Sequence, residues 1–236
     1  MKYNINIEKP NTDFWKKLSE LGINRYSKYD GLIYKYVSFE TAIKIIQGNC
    51  LQYSQSKSFN DPFDLTNSLL DTSISKGDIT KLITESFVTN DEERQKIIDF
   101  NLANPDILPN IFLKTLDDAK SEMGITCFSK SPFNTLMWSH YANKHSGICL
   151  GFSFDEIGGD GIIQLAVRYT NEIQPRNYFR ETIFSIYNWI FTKSAVWEYE
   201  EEVRRTYINR NGLIEFQHHE LTEIYYGVNI TEEQIE

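Results

Sequence analysis

Residues 193–207 read KSAVWEYEEEVRRTY, with three glutamates in a row followed by two arginines. As a helix this stretch stacks like charges at adjacent positions. As a strand it sorts by alternation: Trp197, Tyr199, Val203 and Tyr207 fall on one face, with Glu201 and Arg205 as exceptions. Glu198, Glu200, Glu202, Arg204 and Thr206 fall on the other. Carboxylates and a guanidinium on one surface can stabilise a developing positive charge, bind ribose hydroxyls or hold a metal. The alternative is an exposed strand face whose charges discourage edge pairing.

Three other stretches carry candidate chemistry. In ITCFSKSPFNTLMWSHYANKHSGICLGF (125–152), a strand ending at Ser129 runs into a polar loop containing Ser131. A helix follows that presents Trp138, His140 and Tyr141. Met137 and Tyr141 are four apart and are expected to pack inward together, with Trp138 beside them. His140 is either a general base or a surface histidine, and His145 is placed to complement the helix end. No second His or Cys stands at zinc-ligand spacing. In Asn60-Asp61-Pro62-Phe63-Asp64, the two aspartates either coordinate a cation or form Asx-turns and cap the next helix. In IYKYVS (33–38), Lys35 faces opposite to Tyr34 and Tyr36; near a cleft such residues can meet a nucleotide, and otherwise they are ordinary strand residues.

The elements that must position these groups read as α+β. Asn11 or Thr12 is expected to cap a short helix carrying Phe14, Trp15, Leu18 and Leu21 that stops at Gly22. GLIYKYV is a strand, Ser38 caps a helix ended by Gly48, and CLQYS (50–54) is the next strand. Residues 74–122 carry three segments with helical spacing and read as a helical insertion within a single domain spanning 1–236, with Asn104-Pro105 as a cap and first helical residue. Strands return with GITCFS (124–129), GICLGFSF, IIQLAVRY, the acidic stretch, LIEFQ and EIYYGV, with a helix in RNYFRETIFSIYNWIF. Ser131-Pro132 opens the helix through LMWSHYA, and Thr231 caps a final turn. The expected architecture is a helix-interrupted sheet of roughly seven or eight strands. No glycine-rich phosphate loop is present.

Composition narrows the partners. The 236-residue chain has a formal net charge of −9, and its basic residues occur as pairs rather than patches. That excludes non-specific nucleic-acid and membrane-surface binding, which need clustered Lys and Arg, but leaves a nucleotide or other small-molecule substrate, and a protein partner or regulator, open. Cys50, Cys127 and Cys149 form no CxxC pair and read as reduced, buried thiols. No apolar stretch reaches membrane-span length, and the expectation is a soluble cytoplasmic protein.

Taken together, these stretches resemble a bacterial domain family of unknown function, number 2971 in its catalogue. The resemblance runs over about residues 31–230. It rests on Tyr34-Lys35-Tyr36, FNDPFD (59–64), CFS (127–129), LMWSHYA-x-KH-x-G-x-CLGF (136–152), K…W-x-x-E-x-E-x-R (193–204) and Y-x-G (225–227). Members of that family often run longer after the Y-x-G strand, so the resemblance implies that this chain is short at its end.

The order of elements also resembles that of ADP-ribosyltransferases, which split NAD on a split β-sheet. That resemblance implies NAD as substrate and a role in a bacterial toxin or in anti-phage defence. It puts Tyr34, Lys35 and Tyr36 on the first NAD-binding strand and Ser129 on the second. Ser131, Trp138, His140 and Tyr141 fall in the loop and helix that follow. Glu202 becomes the catalytic carboxylate, Glu200 its ExE partner, Tyr141 a further catalytic group, and Arg204 a cofactor contact. Neither His nor Arg stands on the first strand. The chemistry is consistent: breaking the nicotinamide–ribose bond builds oxocarbenium character that a preorganised carboxylate stabilises. A tyrosine, 141 or 36, can stack on nicotinamide, and the second glutamate can orient or deprotonate the acceptor. The alternative is a non-catalytic sensor module holding a nucleotide or a partner.

Overall fold

The structure, a computed structural model, describes residues 32–84, 90–155, 158–159 and 162–235. The helix expected around Phe14–Leu21 lies outside these residues. In chain order the elements are β1 (Ile33–Val37), α1 (Phe39–Gly48), β2 (Cys50–Tyr53), β3 (Leu70–Asp71), α2 (Lys76–Thr84), α3 (Asp91–Ala103) and α4 (Ile107–Glu122). Then come β4 (Gly124–Ser129), α5 (Thr135–Tyr141), β5 (Ile148–Phe152), β6 (Gly158–Gly159), β7 (Ile162–Ala166), β8 (Arg168–Thr170) and β9 (Arg176–Asn177). The chain continues with α6 (Thr182–Phe191), β10 (Thr192–Ser194), β11 (Glu202–Tyr207), β12 (Gly212–Glu215), β13 (Leu221–Tyr226) and α7 (Glu232–Ile235).

The chain divides into two compact units. One comprises residues 65–121 and 173–190 and holds the expected helical segments. Asn90 caps α3 by accepting hydrogen bonds from the amides of Glu92 and Glu93, and Asp91, Glu92 and Glu93 set negative charge against the positive helix end. Ile79, Ile83 and Ile98 form its small core, and Phe112 stacks on Tyr178. Helix α4 begins at Ile107, two residues beyond the expected Pro105.

The other unit contains a seven-stranded antiparallel sheet of order β13-β5-β1-β4-β11-β7-β6. The α+β reading therefore holds. Strand alternation sets two faces. Ile33, Val37, Phe128, Leu150 and Val203 point into the main core with Ala42 and Ile45 of α1 and Leu51 and Ile214 of the β2–β12 pair. Tyr36 and Cys149 point the other way, onto Met137 and Ala142, with Trp138 and Tyr141 against them. Ser38 caps α1 as expected, but the left-handed residue that ends it is Asn49, one beyond Gly48.

Two local departures from regular structure shape the site. Strands β1 and β5 register over five residue pairs, Ile33↔Phe152 through Val37↔Ile148. Strands β1 and β4 register at the single pair Tyr34↔Ser129. The sheet thus opens beyond that pair, and Ser54, just past β2, bridges Ile125 on the far wall. After α5, Asn143, Lys144 and His145 all take left-handed conformations, at φ 46°, 55° and 69°. His145 ends the helix through its backbone, whose amide donates to the Trp138 carbonyl at 3.1 Å. The turn is clamped by two glycines: a Cβ on Gly147 would lie 2.2 Å from the Val37 carbonyl oxygen, and one on Gly227 would lie 2.2 Å from that of His145. Close backbone approach explains both the H-x-G and the Y-x-G pattern.

Candidate functional site

The acidic stretch is not one continuous strand. Ala195–Glu200 winds into a 3-10 turn, Glu201 sits left-handed at φ 45°, and β11 starts only at Glu202. Alternation counts parity and cannot see a single positive-φ residue that resets it. The turn is held from two sides. The Glu201 amide donates to the Glu198 carbonyl, and the Glu201 carbonyl accepts from the Lys130 amide, each at 3.1 Å. Asn134, which caps α5 by accepting from the Leu136 and Met137 amides, also donates to the Tyr199 carbonyl.

Glu200 and Glu202 are nonetheless brought together, because both turn toward Lys193 on β10. Lys193 Nζ donates to Glu200 Oε2 at 2.6 Å and to Glu202 Oε2 at 3.2 Å. Strand β10 is positioned by parallel pairing with β8, and the Glu202 amide donates to the Tyr169 hydroxyl of β8 at 2.8 Å. Arg204, fully buried, donates through Nε to Glu202 Oε1 at 2.7 Å. It also forks onto Asp64, at 2.9 Å to Oδ1 and 2.5 Å to Oδ2. The Trp197 ring lies 4.9 Å from Lys193 Nζ, and the Phe59 ring 5.7 Å from the Arg204 guanidinium. The K…W-x-x-E-x-E-x-R pattern and FNDPFD are thus two halves of one buried ion network. Asp64 is engaged by arginine rather than placed as a cation ligand, while Asp61 makes the expected Asx-turn, accepting from the Phe63 amide at 2.9 Å. Among the described residues no cluster of three or more His, Cys, Asp or Glu is arranged to hold a metal ion.

Ionisation follows from this packing. Burial alone would raise the Glu202 pKa, but Arg204 and Lys193 outweigh it and bring it down to about 2. For Lys193, burial pulls downward and is overcome by Glu202 and Glu200, which lift it to about 12. Burial wins at Asp64, whose pKa is raised despite Arg204. The Cys127 thiol is pushed well up by burial and by the Glu202 carboxylate, so it stays protonated.

The network forms one wall of a cleft of about 300 Å³. It is lined by Glu200, Glu202, Lys193 and Asp64 of the network, by Tyr34, Lys35 and Tyr36 of β1, and by Tyr141, Asn60 and Cys127. The Tyr141 hydroxyl donates to Glu200 Oε1 at 2.5 Å and accepts from Asn60 Nδ2 at 3.0 Å. Burial and then the Glu200 bond push this phenol's pKa up. At the opening between β1 and β4, Lys35 Nζ donates to Thr126 Oγ1 at 2.9 Å and to the Cys127 carbonyl at 3.0 Å.

Of the residues singled out in the sequence, Glu200, Glu202, Tyr141, Tyr34, Lys35 and Tyr36 converge on this cleft. The others stand behind it or beside it. Ser129 is fully buried between β1 and β11. The Ser131 carbonyl accepts from the Tyr36 hydroxyl at 2.7 Å, and Trp138 packs edge-on against the Tyr36 ring. Arg204 lies beneath the wall. His140 lines an adjoining depression of about 420 Å³ with Val196, Trp197 and Tyr199, and that depression shares Asn60 and Tyr141 with the cleft. Asn60 and Lys193 were not among the candidate site residues, and Asp64 was considered only as a cation ligand or a turn residue. Their signal was their place inside the two quoted patterns, which local reading assigned to a turn and to a strand start.

Residues 137–205 match a family model described as "Protein of unknown function (DUF2971)". No curated protein and no solved structure matches the chain. The matched segment runs from α5 to β11 and carries Tyr141, Lys193, Glu200, Glu202 and Arg204. Tyr34, Lys35, Asn60 and Asp64, which complete the cleft, lie outside it. No helix among the described residues is long and apolar enough to cross a membrane.

Proposed function

We propose that this chain cleaves the nicotinamide–ribose bond of NAD, as an ADP-ribosyltransferase or NAD glycohydrolase. The observation that carries the reading is the convergence of Glu200, Glu202 and Tyr141 with Tyr34, Lys35 and Tyr36 on one cleft. Glycosidic cleavage sends the C–N bonding pair out with nicotinamide, which leaves neutral, and makes the ribosyl carbon cationic. Water or an acceptor hydroxyl then attacks that carbon and releases its proton. Glu200 suits the charged stage: Lys193 and Tyr141 hold its two oxygens in place, so stabilising the cation requires no reorganisation. Glu202, tied to Arg204 and Lys193, holds the lysine that positions Glu200. At about 300 Å³ the cleft is near the lower end of ligand-site volumes and suits the reacting half of the dinucleotide.

The test is nicotinamide release from NAD, followed chromatographically. Glu200→Gln is expected to lower the rate by about 10²–10³-fold, the range for losing one such electrostatic group. Wild-type release no greater than that of the Gln variant, with cell extract supplied as a source of acceptors, overturns the reading. A non-catalytic nucleotide-binding module is the second reading, favoured by the full engagement of both Glu202 oxygens. Thermal stabilisation by NAD that persists unchanged through prolonged incubation, with no nicotinamide formed, selects it.

A further inference from the structure

The cleft lining holds a surplus carboxylate and, apart from it, a lysine that makes no direct ion pair among the described residues. At the network, three carboxylates (Asp64, Glu200, Glu202) face two cations, Lys193 and Arg204. Arg204 forks onto Asp64 and Glu202, and Lys193 is shared, so the surplus negative charge falls toward Glu200, whose other oxygen meets only the neutral Tyr141 hydroxyl. Lys35, which also lines the cleft, forms no ion pair among the described residues. Two of its three N–H groups are used, on Thr126 and the Cys127 carbonyl, and its ammonium stands 5.3 Å from the Phe128 ring. Burial lowers its pKa, against opposing through-space effects of Cys127 and then Glu202. Leaving a charge desolvated is costly unless a counter-charge reaches it. A phosphate brought by a ligand can supply that counter-charge, and a lysine, being a compact point charge, suits it.

We infer that the cleft is built for a bipolar ligand of mononucleotide size, with a cationic N-heterocyclic glycoside placed at Glu200 and a phosphate held by Lys35. The inference deepens the NAD reading and rests on it for the identity of the cationic ring, while the opposite charges are those of Glu200 and Lys35 in the cleft lining. The cleft's volume of about 300 Å³ sets the size.

Calorimetric titration with three probes tests it: nicotinamide mononucleotide, nicotinamide riboside, which lacks the phosphate, and ribose 5-phosphate, which lacks the cation. Wild type is expected to bind the mononucleotide more tightly than either fragment by roughly tenfold or more, the scale of one charge-assisted hydrogen bond. Lys35→Gln is expected to bring the mononucleotide-to-riboside ratio to about one, whereas Lys35→Arg keeps it. Glu200→Gln is expected to erase the advantage over ribose 5-phosphate. Each variant is read as a ratio of two ligands on the same protein, so a loss of folded fraction cancels. Wild type that binds riboside as well as mononucleotide, or binds no mononucleotide, overturns the inference, as does a Gln variant that keeps the ratio. A protein that shows these ratios yet releases no nicotinamide from NAD ends the glycosyl-transfer reading and leaves the bipolar cleft standing. NAD cleavage without a phosphate preference does the reverse.

Discussion

Replacing Arg204 by Met is the most informative perturbation of the buried network. The guanidinium is fully buried and makes close contacts with Glu202 and Asp64, at 2.5–3.2 Å. Its removal leaves two buried carboxylates with Lys193 alone, at 3.2 Å from Glu202 and 3.9 Å from Asp64. Breaking one partner of a buried pair typically costs about 3–5 kcal/mol. A second route gives the same scale. Arg204 and Lys193 together, against burial, bring the Glu202 pKa from 4.5 to about 2, and at about 1.36 kcal/mol per pH unit that net shift amounts to roughly 3 kcal/mol. For a domain of this size each kcal/mol moves the midpoint by about 2–4 °C, so Arg204→Met is expected to melt roughly 6–20 °C below wild type at pH 7.

The pH dependence supplies an independent check. Glu202 is more acidic in the folded than in the unfolded chain, so its stabilising contribution is fully present above 4.5 and fades as pH falls toward about 2. Asp64 runs oppositely: its folded pKa is raised, so protonation at falling pH relieves a penalty. The gap between wild type and Arg204→Met should therefore be widest near neutrality and narrow below about pH 5. Circular dichroism melts from pH 7 to pH 3 measure it. A variant within 1 kcal/mol of wild type at pH 7, or a gap that stays constant with pH, would refute the network as the element holding this wall.

Other consequences follow from the same geometry. Gly227→Ala forces a Cβ to 2.2 Å from the His145 carbonyl oxygen and is expected to destabilise by about 1–3 kcal/mol, read from a urea titration, while an alanine at exposed Gly48, which meets no atom within 4 Å, should change little. Cys127 is expected to resist iodoacetamide at pH 8 in the folded protein and to react once the chain is unfolded, because burial and Glu202 raise its pKa; peptide mass spectrometry reads this site by site, and rapid native labelling would contradict the assigned environment.

Much of this site was legible because its residue types are unusual for their positions. A lysine between two strand tyrosines, an E-x-E-x-R run and a W-S-H-Y helix all marked candidate residues; Tyr34, Lys35, Tyr36, Glu200, Glu202 and Tyr141 line one cleft, while Arg204 lies beneath its wall and Trp138 and His140 stand behind or beside it. The architecture was equally legible where periodicity was strong, as in the helices of 76–122 and the strands around Ser129 and Leu150. What escaped was long-range pairing. Asp64 finds Arg204 across 140 positions of sequence, and nothing local distinguishes a carboxylate waiting for a distant guanidinium from one that makes a turn. Lys193 was quoted as the start of a motif, but its role depends on β8 and β10 lying parallel, which no pattern within either strand encodes.

The failed strand reading of 197–201 is instructive for the same reason, and it bears on why the charges are there. Alternation put Glu200 and Glu202 on one face; the 3-10 turn and the left-handed Glu201 reach that outcome by a different backbone path. Both glutamates end against one lysine. Stability alone does not call for five ionised groups beneath a cleft wall, since apolar packing of similar volume is commonly as stable as a buried ion pair. What Leu and Phe cannot do is fix a carboxylate at a surface with both oxygens oriented. Here Arg204 anchors Glu202, Glu202 helps anchor Lys193, and Lys193 with Tyr141 aims Glu200. The chain of contacts ends at the glutamate that carries the surplus charge, which is the arrangement expected of a support built for a single anionic group.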